Sequence, residues 1–171
     1  VVRKTQFPRL VIPLSVVLTS VFNLGPNLLV VFVFMLAFGI DPMWTWLLFP
    51  VVLVILFVLT TAVAMILSSL YPRFRDIGII WSVLATVLFY ATPVLYPLEK
   101  VDTGLAHVIA LSPLTPLFEL ARKWMIDPTA PGPIATTGGA SVAIAAVVYV
   151  VICIFAAWIF NREAPRIAEE L

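Results

Sequence analysis

Apolar residues run through this chain in long blocks separated by short clusters of charge and proline, and the block lengths predict its architecture. A helix needs about 20 apolar residues to cross roughly 30 Å of hydrocarbon. Four blocks reach that length, at about 12–38, 44–70, 77–95 and 140–160. None carries Asp, Glu, Lys or Arg in its interior, as expected where a charge at mid-bilayer is costly. The pattern predicts an all-α integral membrane fold with four transmembrane helices in a single domain, residues 1–171.

The connection after the third block breaks the pattern. Gly104 to Leu111 is apolar but far too short to span. Thr115 then reads as an N-cap with Pro116 at the first helical position. Beyond it, Glu119, Arg122 and Lys123 recur at i, i+3 and i+4, while Leu117, Leu120, Ala121, Trp124 and Met125 cover much of the remainder. Two short helices are predicted, about 105–111 and 115–126, the second amphipathic and pressed on an apolar surface. They either dip into the membrane as a re-entrant pair or lie flat at its interface. Residues 127–139, with Pro128, Pro131 and Pro133, read as a turn-rich loop.

Charge orients the chain. Arg3, Lys4 and Arg9 precede the first block, Arg73 and Arg75 separate the second from the third, and Arg162 and Arg166 follow the fourth. Cations in short loops stay cytoplasmic. Both termini and the Tyr71–Asp76 loop are therefore expected inside, with the short helices outside. Trp44, Trp46, Tyr71, Tyr96, Trp124 and Trp158 fall near block ends or in connections, where aromatic rings prefer the headgroup level.

Composition agrees. Hydrophobic residues make up 63% and charged residues 11% of the 171 positions, with a mean hydropathy of +1.14. A soluble core of this size could not hide so much apolar surface. The net charge of +1 and scattered basic residues exclude a nucleic-acid partner. Cys153 is the single cysteine, inside an apolar run, so no disulfide framework exists. The first block is too long for a signal peptide. The chain opens at Val1, directly on a basic segment, which is the expectation for a fragment.

Catalytic chemistry lacks parts. His107 is the only histidine, there is no P-loop, and Glu169–Glu170 reads as a solvated tail. No metal or cofactor is expected in this chain. Polar and helix-breaking positions inside the blocks say more. Asn23 and Asn27 share one face around Pro26, a pathway-facing kink or a site of interhelical hydrogen bonding. Tyr90-Ala-Thr-Pro93-Val-Leu-Tyr96-Pro97 is an unwound corner or a plain helix stop. Asp76 can cap the third helix, and Arg73 and Arg75 can meet lipid phosphates or a partner's carboxylates.

The ordered set of Phe7-Pro8-Arg9-Leu-Val-Ile-Pro13, Tyr71-Pro-Arg73-Phe74-Arg75-Asp76, Ala91-Thr-Pro-Val-Leu-Tyr-Pro97 and Leu111-Ser-Pro113-Leu-Thr-Pro116 resembles the membrane subunit of bacterial ATP-binding-cassette type 2 polysaccharide exporters, including O-antigen and teichoic-acid permeases. That family implies a six-span permease with an amphipathic cytoplasmic helix, of which the four blocks would be the C-terminal part. It also implies a permease homodimer, two separate ATPase subunits that bind the ATP and magnesium, and an undecaprenyl-linked glycan substrate in the plasma membrane. By position, Arg3, Lys4, Phe7, Pro8 and Arg9 would belong to the ATPase-coupling segment, with Arg73, Phe74, Arg75 and Asp76 in a second cytoplasmic loop. His107, Pro113, Pro116, Glu119 and Arg122 would belong to an outer gate, and Ser112-Pro113 stands where many relatives have Asn-Pro. Asn23, Pro26, Asn27, Tyr90, Pro93, Tyr96 and Pro97 are the pathway or kink candidates, and Phe22, Phe32, Phe34 and Phe89 join Tyr90 as candidates for sugar stacking. A type 2 drug or small-lipid exporter would share this layout. A membrane-embedded enzyme would need clustered Asp, His or Arg that the chain lacks, and a passive anchor would have no use for broken spans.

Overall fold

The structure is a computed structural model and describes residues 11–167 apart from 72, 75, 95, 97 and 102. All regular structure among these residues is helical. The order is α1 (Val11–Ala37), a 3-10 turn (Trp44–Leu48) running into α2 (Phe49–Leu70), α3 (Ile77–Ala91), a second 3-10 turn (Leu98–Lys100), α4 (Thr103–Ala110), α5 (Leu114–Met125), α6 (Pro133–Thr137) and α7 (Gly139–Ile167).

Local chemistry sets the ends. Gly39, at φ +78°, closes α1. The amide of Ile40 reaches back to Met35 O at 3.0 Å and that of Gly39 to Leu36 O at 3.1 Å, the glycine-dependent stop that satisfies orphan carbonyls. A proline in the first turn opens α2, where its missing N–H costs nothing. The expected loop at 127–139 contains α6, started by Pro133 and stopped by Gly138 at φ +83°. That proline-then-glycine pair is a helix signal which the count of prolines obscured.

Three helices are long and apolar enough to cross a membrane: Pro13–Ala37, Trp44–Leu70 and Gly139–Arg162. The third predicted span differs. α3 stops at Ala91 after 15 residues, about 22 Å at 1.5 Å per residue, short of the hydrocarbon thickness. Pro93 is the reason, because it drives Thr92 into the extended region at φ −82°, ψ 138°. α4 and α5 meet at 92°, and counting such a bent pair as one broken span gives up to four crossings.

α2 packs most extensively on α7 and then on α1, while α5 and α6 cover one end of the bundle. The buried residues of these helices include Ala62, Ala145 and Ala156 beside Val52, Leu59 and Phe160. Small side chains allow close helix approach where lipid supplies no hydrophobic drive. Tyr149 on α7 donates its hydroxyl to Ile55 O on α2 at 3.1 Å. The outer surface is apolar, with Phe22 74% and Ile79 70% exposed, and α3 buries none of its residues. Such a surface belongs in lipid or against a partner. The molecule is a multi-pass membrane protein.

Candidate functional site

Among the described residues, the corner after α3 carries the most organised polar structure. Breaking a helix orphans carbonyls, which are costly at membrane depth unless protein or water re-satisfies them. Here the donors can be followed one by one. Leu88 O accepts from the Thr92 amide at 2.9 Å and the Thr92 hydroxyl at 2.7 Å. The Tyr96 hydroxyl turns back to Tyr90 O at 3.0 Å and Ala91 O at 3.2 Å. Thr92 O accepts from Val94 at 2.7 Å. Pro93 O and Tyr96 O are both taken by one guanidinium nitrogen of Arg122, at 3.0 and 3.2 Å. Thr92 and Pro93 are buried. The segment is an unwound corner with its own hydrogen-bond closure, rather than a plain stop.

Arg122 lies in α5, and α5 is held from the opposite side as well. The Thr45 hydroxyl donates to Trp124 O at 2.7 Å and the Trp46 indole to Met125 O at 3.2 Å. These are carbonyls at the C-terminal end of α5, which no helical amide can reach. One short helix therefore ties the corner after α3 to the start of α2. Sequence reasoning placed Trp46 near a span end, did not single out Thr45, and missed this role. The available signal was a threonine and an indole N–H that both need acceptors when half-buried.

Two expectations about this region are corrected. Thr115 is not the N-cap of α5, which starts at Leu114 with Pro113 at the cap. Its hydroxyl instead crosses the bend to Ile109 O at 2.6 Å, joining α4 to α5 from a position that is 1% exposed. Pro116 consequently sits inside the first turn. The polar face of α5 is turned inward: Glu119 is only 5% exposed and Arg122 is half-buried. That face turns inward because the corner needs a donor there. His107 stays exposed on α4.

Two cavities flank α5. One, of about 200 Å³, is an apolar groove between α1 and the corner, lined by Val31, Phe32, Met35, Pro93, Phe118 and Arg122 among others. The other, of about 190 Å³, is polar, with Glu119, Arg122, Asp127 and Thr136 in its wall. Asp127 outside the helix accepts from the Thr129 hydroxyl at 2.6 Å and amide at 2.9 Å. The Thr129 hydroxyl first, and then its amide, hold the Asp127 carboxyl below its ordinary range, against a smaller opposing effect of desolvation. Among the described residues no three His, Cys, Asp or Glu side chains converge as a metal site would require.

At the far end of α2, Arg73 and Phe74 are exposed, with the Arg73 guanidinium 5.9 Å from the Phe74 ring centroid. Asp76 occupies the N-cap of α3 but makes no side-chain cap bond. Its backbone is already helical, so the carboxylate is not aimed at the first turn. Arg3, Lys4, Phe7, Pro8, Arg9, Arg75 and Pro97 lie outside the described residues.

α1 is continuous through Pro26. The Asn27 side chain donates to Asn23 O at 2.8 Å within the same helix, so the two amide side chains do not pair with each other. Both asparagines are exposed. Among the aromatic candidates Phe22, Phe34, Phe89 and Tyr90 are also exposed, while Phe32 packs on Trp46 with centroids 5.2 Å apart.

A family model described as ABC-2 type transporter matches residues 2–126. The chain is 40% identical over 116 residues to the O-antigen export system permease protein RfbA of Myxococcus xanthus, covering 67% of this chain and 45% of that protein. Two proteins of the same name from Klebsiella pneumoniae match at 29% over 130 residues, covering 75% and 50%, and at 28% over 128 residues, covering 74% and 49%. The chain thus spans about half the length of the curated relatives it matches.

Proposed function

The chain belongs to the ABC-2 type transporter family, and on that premise we propose that it is the membrane part of an exporter moving lipid-linked cell-envelope polysaccharide outward across the bacterial plasma membrane. The observation that carries this reading is the 40% identity to an O-antigen export permease. ATP hydrolysis, with its magnesium, takes place on separate subunits, the arrangement that membership of the ABC-2 family implies. Two permease copies pair to form the pathway, and the unpartnered apolar surface of α3 supports such a pairing.

The chemistry suits a neutral polyhydroxylated cargo. Ser15, Thr19, Asn23 and Asn27 recur every fourth residue along α1, all of them exposed. Ser82, Thr86 and Tyr90 repeat the spacing on α3. Neighbours at i, i+4 share a face, so each helix presents a strip of hydroxyl, amide or phenol groups on an otherwise apolar wall. The hydroxyls of Thr19, Ser82 and Thr86 give their protons to carbonyls of their own helices, which leaves oxygen lone pairs that can accept from glycan hydroxyls without a charged filter. The residues before Pro13 and the Tyr71–Asp76 loop contact the ATPase from the cytoplasm, which places both ends of this chain inside and α4 to α6 outside. α4 and α5 form the outer gate as a re-entrant pair.

Deleting the permease from its host tests the proposal. Long-chain polysaccharide should vanish from the cell surface and accumulate on its lipid carrier inside. Unchanged surface polysaccharide together with new sensitivity to drugs would overturn it in favour of drug efflux.

A further inference from the structure

The polar cavity beside α5 has a composition that narrows what it can hold. Glu119 comes from the buried face of α5, Arg122 from one turn further on, Asp127 from the following loop and Thr136 from α6, with Leu98 and Pro131 closing the wall. Its volume of about 190 Å³ corresponds to roughly six waters at ~30 Å³ each, the scale of one small ring rather than a lone ion.

Charge excludes the simpler occupants. An inorganic anion would meet two carboxyl groups, and a metal cation would meet a guanidinium. Asp127 already accepts two bonds from Thr129, which keep its carboxyl ionised and therefore an acceptor only. Arg122 is a donor only, and one of its nitrogens is committed to the corner carbonyls. The Thr136 hydroxyl gives its proton to Gly132 O at 2.9 Å, leaving oxygen lone pairs as acceptors. A wall of fixed acceptors beside a fixed donor is matched by groups that donate and accept at the same atom. Hydroxyls do this, and a vicinal diol presents two at carboxylate spacing.

We infer that this cavity is a monosaccharide-sized subsite, in which Asp127 and Arg122 bind hydroxyls of one sugar residue of the glycan as it passes the outer helices. The inference rests on the glycan-export reading and adds a location to it. The subsite shares Arg122 with the corner after α3, so an occupied subsite and a closed corner draw on the same side chain.

The test uses the full-length permease in lipid nanodiscs and ligand-observed saturation-transfer NMR. The probes are methyl glycosides of common hexoses and deoxyhexoses, with calcium chloride and inorganic phosphate as competitors. The wild-type protein should show saturation of at least one glycoside at millimolar concentration. Asp127→Asn should weaken that binding about tenfold or more, because it replaces an ionised acceptor by a neutral amide. Thr136→Val should weaken it by a smaller factor. Neither calcium nor phosphate should compete. No saturation by any glycoside, displacement by calcium or phosphate, or equal binding to wild type and Asp127→Asn would each overturn the subsite. Surface polysaccharide measured in the same strains separates the two levels. Normal export by the wild type without glycoside binding removes the subsite alone, whereas no export by the wild type removes the glycan reading beneath it.

Discussion

Replacing Arg122 by Met would retain most of the side chain's length and packing while removing both bonds to the corner. Pro93 O lies beside a side chain less than 2% exposed, so losing its charged donor at 3.0 Å costs about 1–3 kcal/mol. Tyr96 is half-buried and its bond is longer, 3.2 Å. Water can partly replace that donor, for about 1 kcal/mol or less. The corner should therefore open more easily by about 1–4 kcal/mol, a factor of roughly 5 to 1,000 in its opening equilibrium. Hydrogen exchange of the full-length protein in nanodiscs, followed on a peptide containing Thr92 and Val94, reads this directly. Arg122→Lys keeps one point-charge donor without the fork and should lie between. Exchange in Arg122→Met within twofold of wild type would refute the latch, as would equal acceleration of amides throughout α2 and α7.

Three further outcomes follow from the same geometry. Thr45→Val and Trp46→Phe each leave one C-terminal carbonyl of α5 without its side-chain donor and should lower stability by about 1 kcal/mol apiece; no loss in thermal unfolding of either variant would contradict the clamp. In a Cys153→Ser background, Arg73→Cys should react with impermeant maleimide only from the cytoplasmic side and Thr129→Cys only from outside, and the reverse pattern would invert the topology. The Asp127 carboxyl, held below its ordinary 3.8 by Thr129, stabilises the loop above that pH. The contribution should fade as pH falls through the lower folded value, and proteolysis of the 127–131 loop between pH 5 and 2 should reveal a transition that Asp127→Asn lacks.

The long apolar blocks were legible because a bilayer imposes one simple length rule, and α1, α2 and α7 follow it. α3 was overestimated because Val94 and Leu95 extend the hydropathy while Pro93 has already stopped the hydrogen bonding. α6 was missed because its signal is two residues at fixed offsets rather than a periodic stripe. The inward turn of Glu119 and Arg122 was illegible for a different reason. An amphipathic pattern states which residues share a face, and only the position of orphaned carbonyls elsewhere decides which face is needed inside. The family resemblance reached the right class because an ordered set of motifs tolerates errors in individual helix ends.

ATP-driven transport in inverted membrane vesicles containing the full-length permease and its ATPase tests the proposed export most directly. Lipid-linked polysaccharide presented on the exposed cytoplasmic face should become protected from added glycosidase when ATP is supplied, and vanadate should abolish the protection. Polysaccharide that remains digestible in the presence of ATP, while the vesicles accumulate a drug or dye, would contradict it.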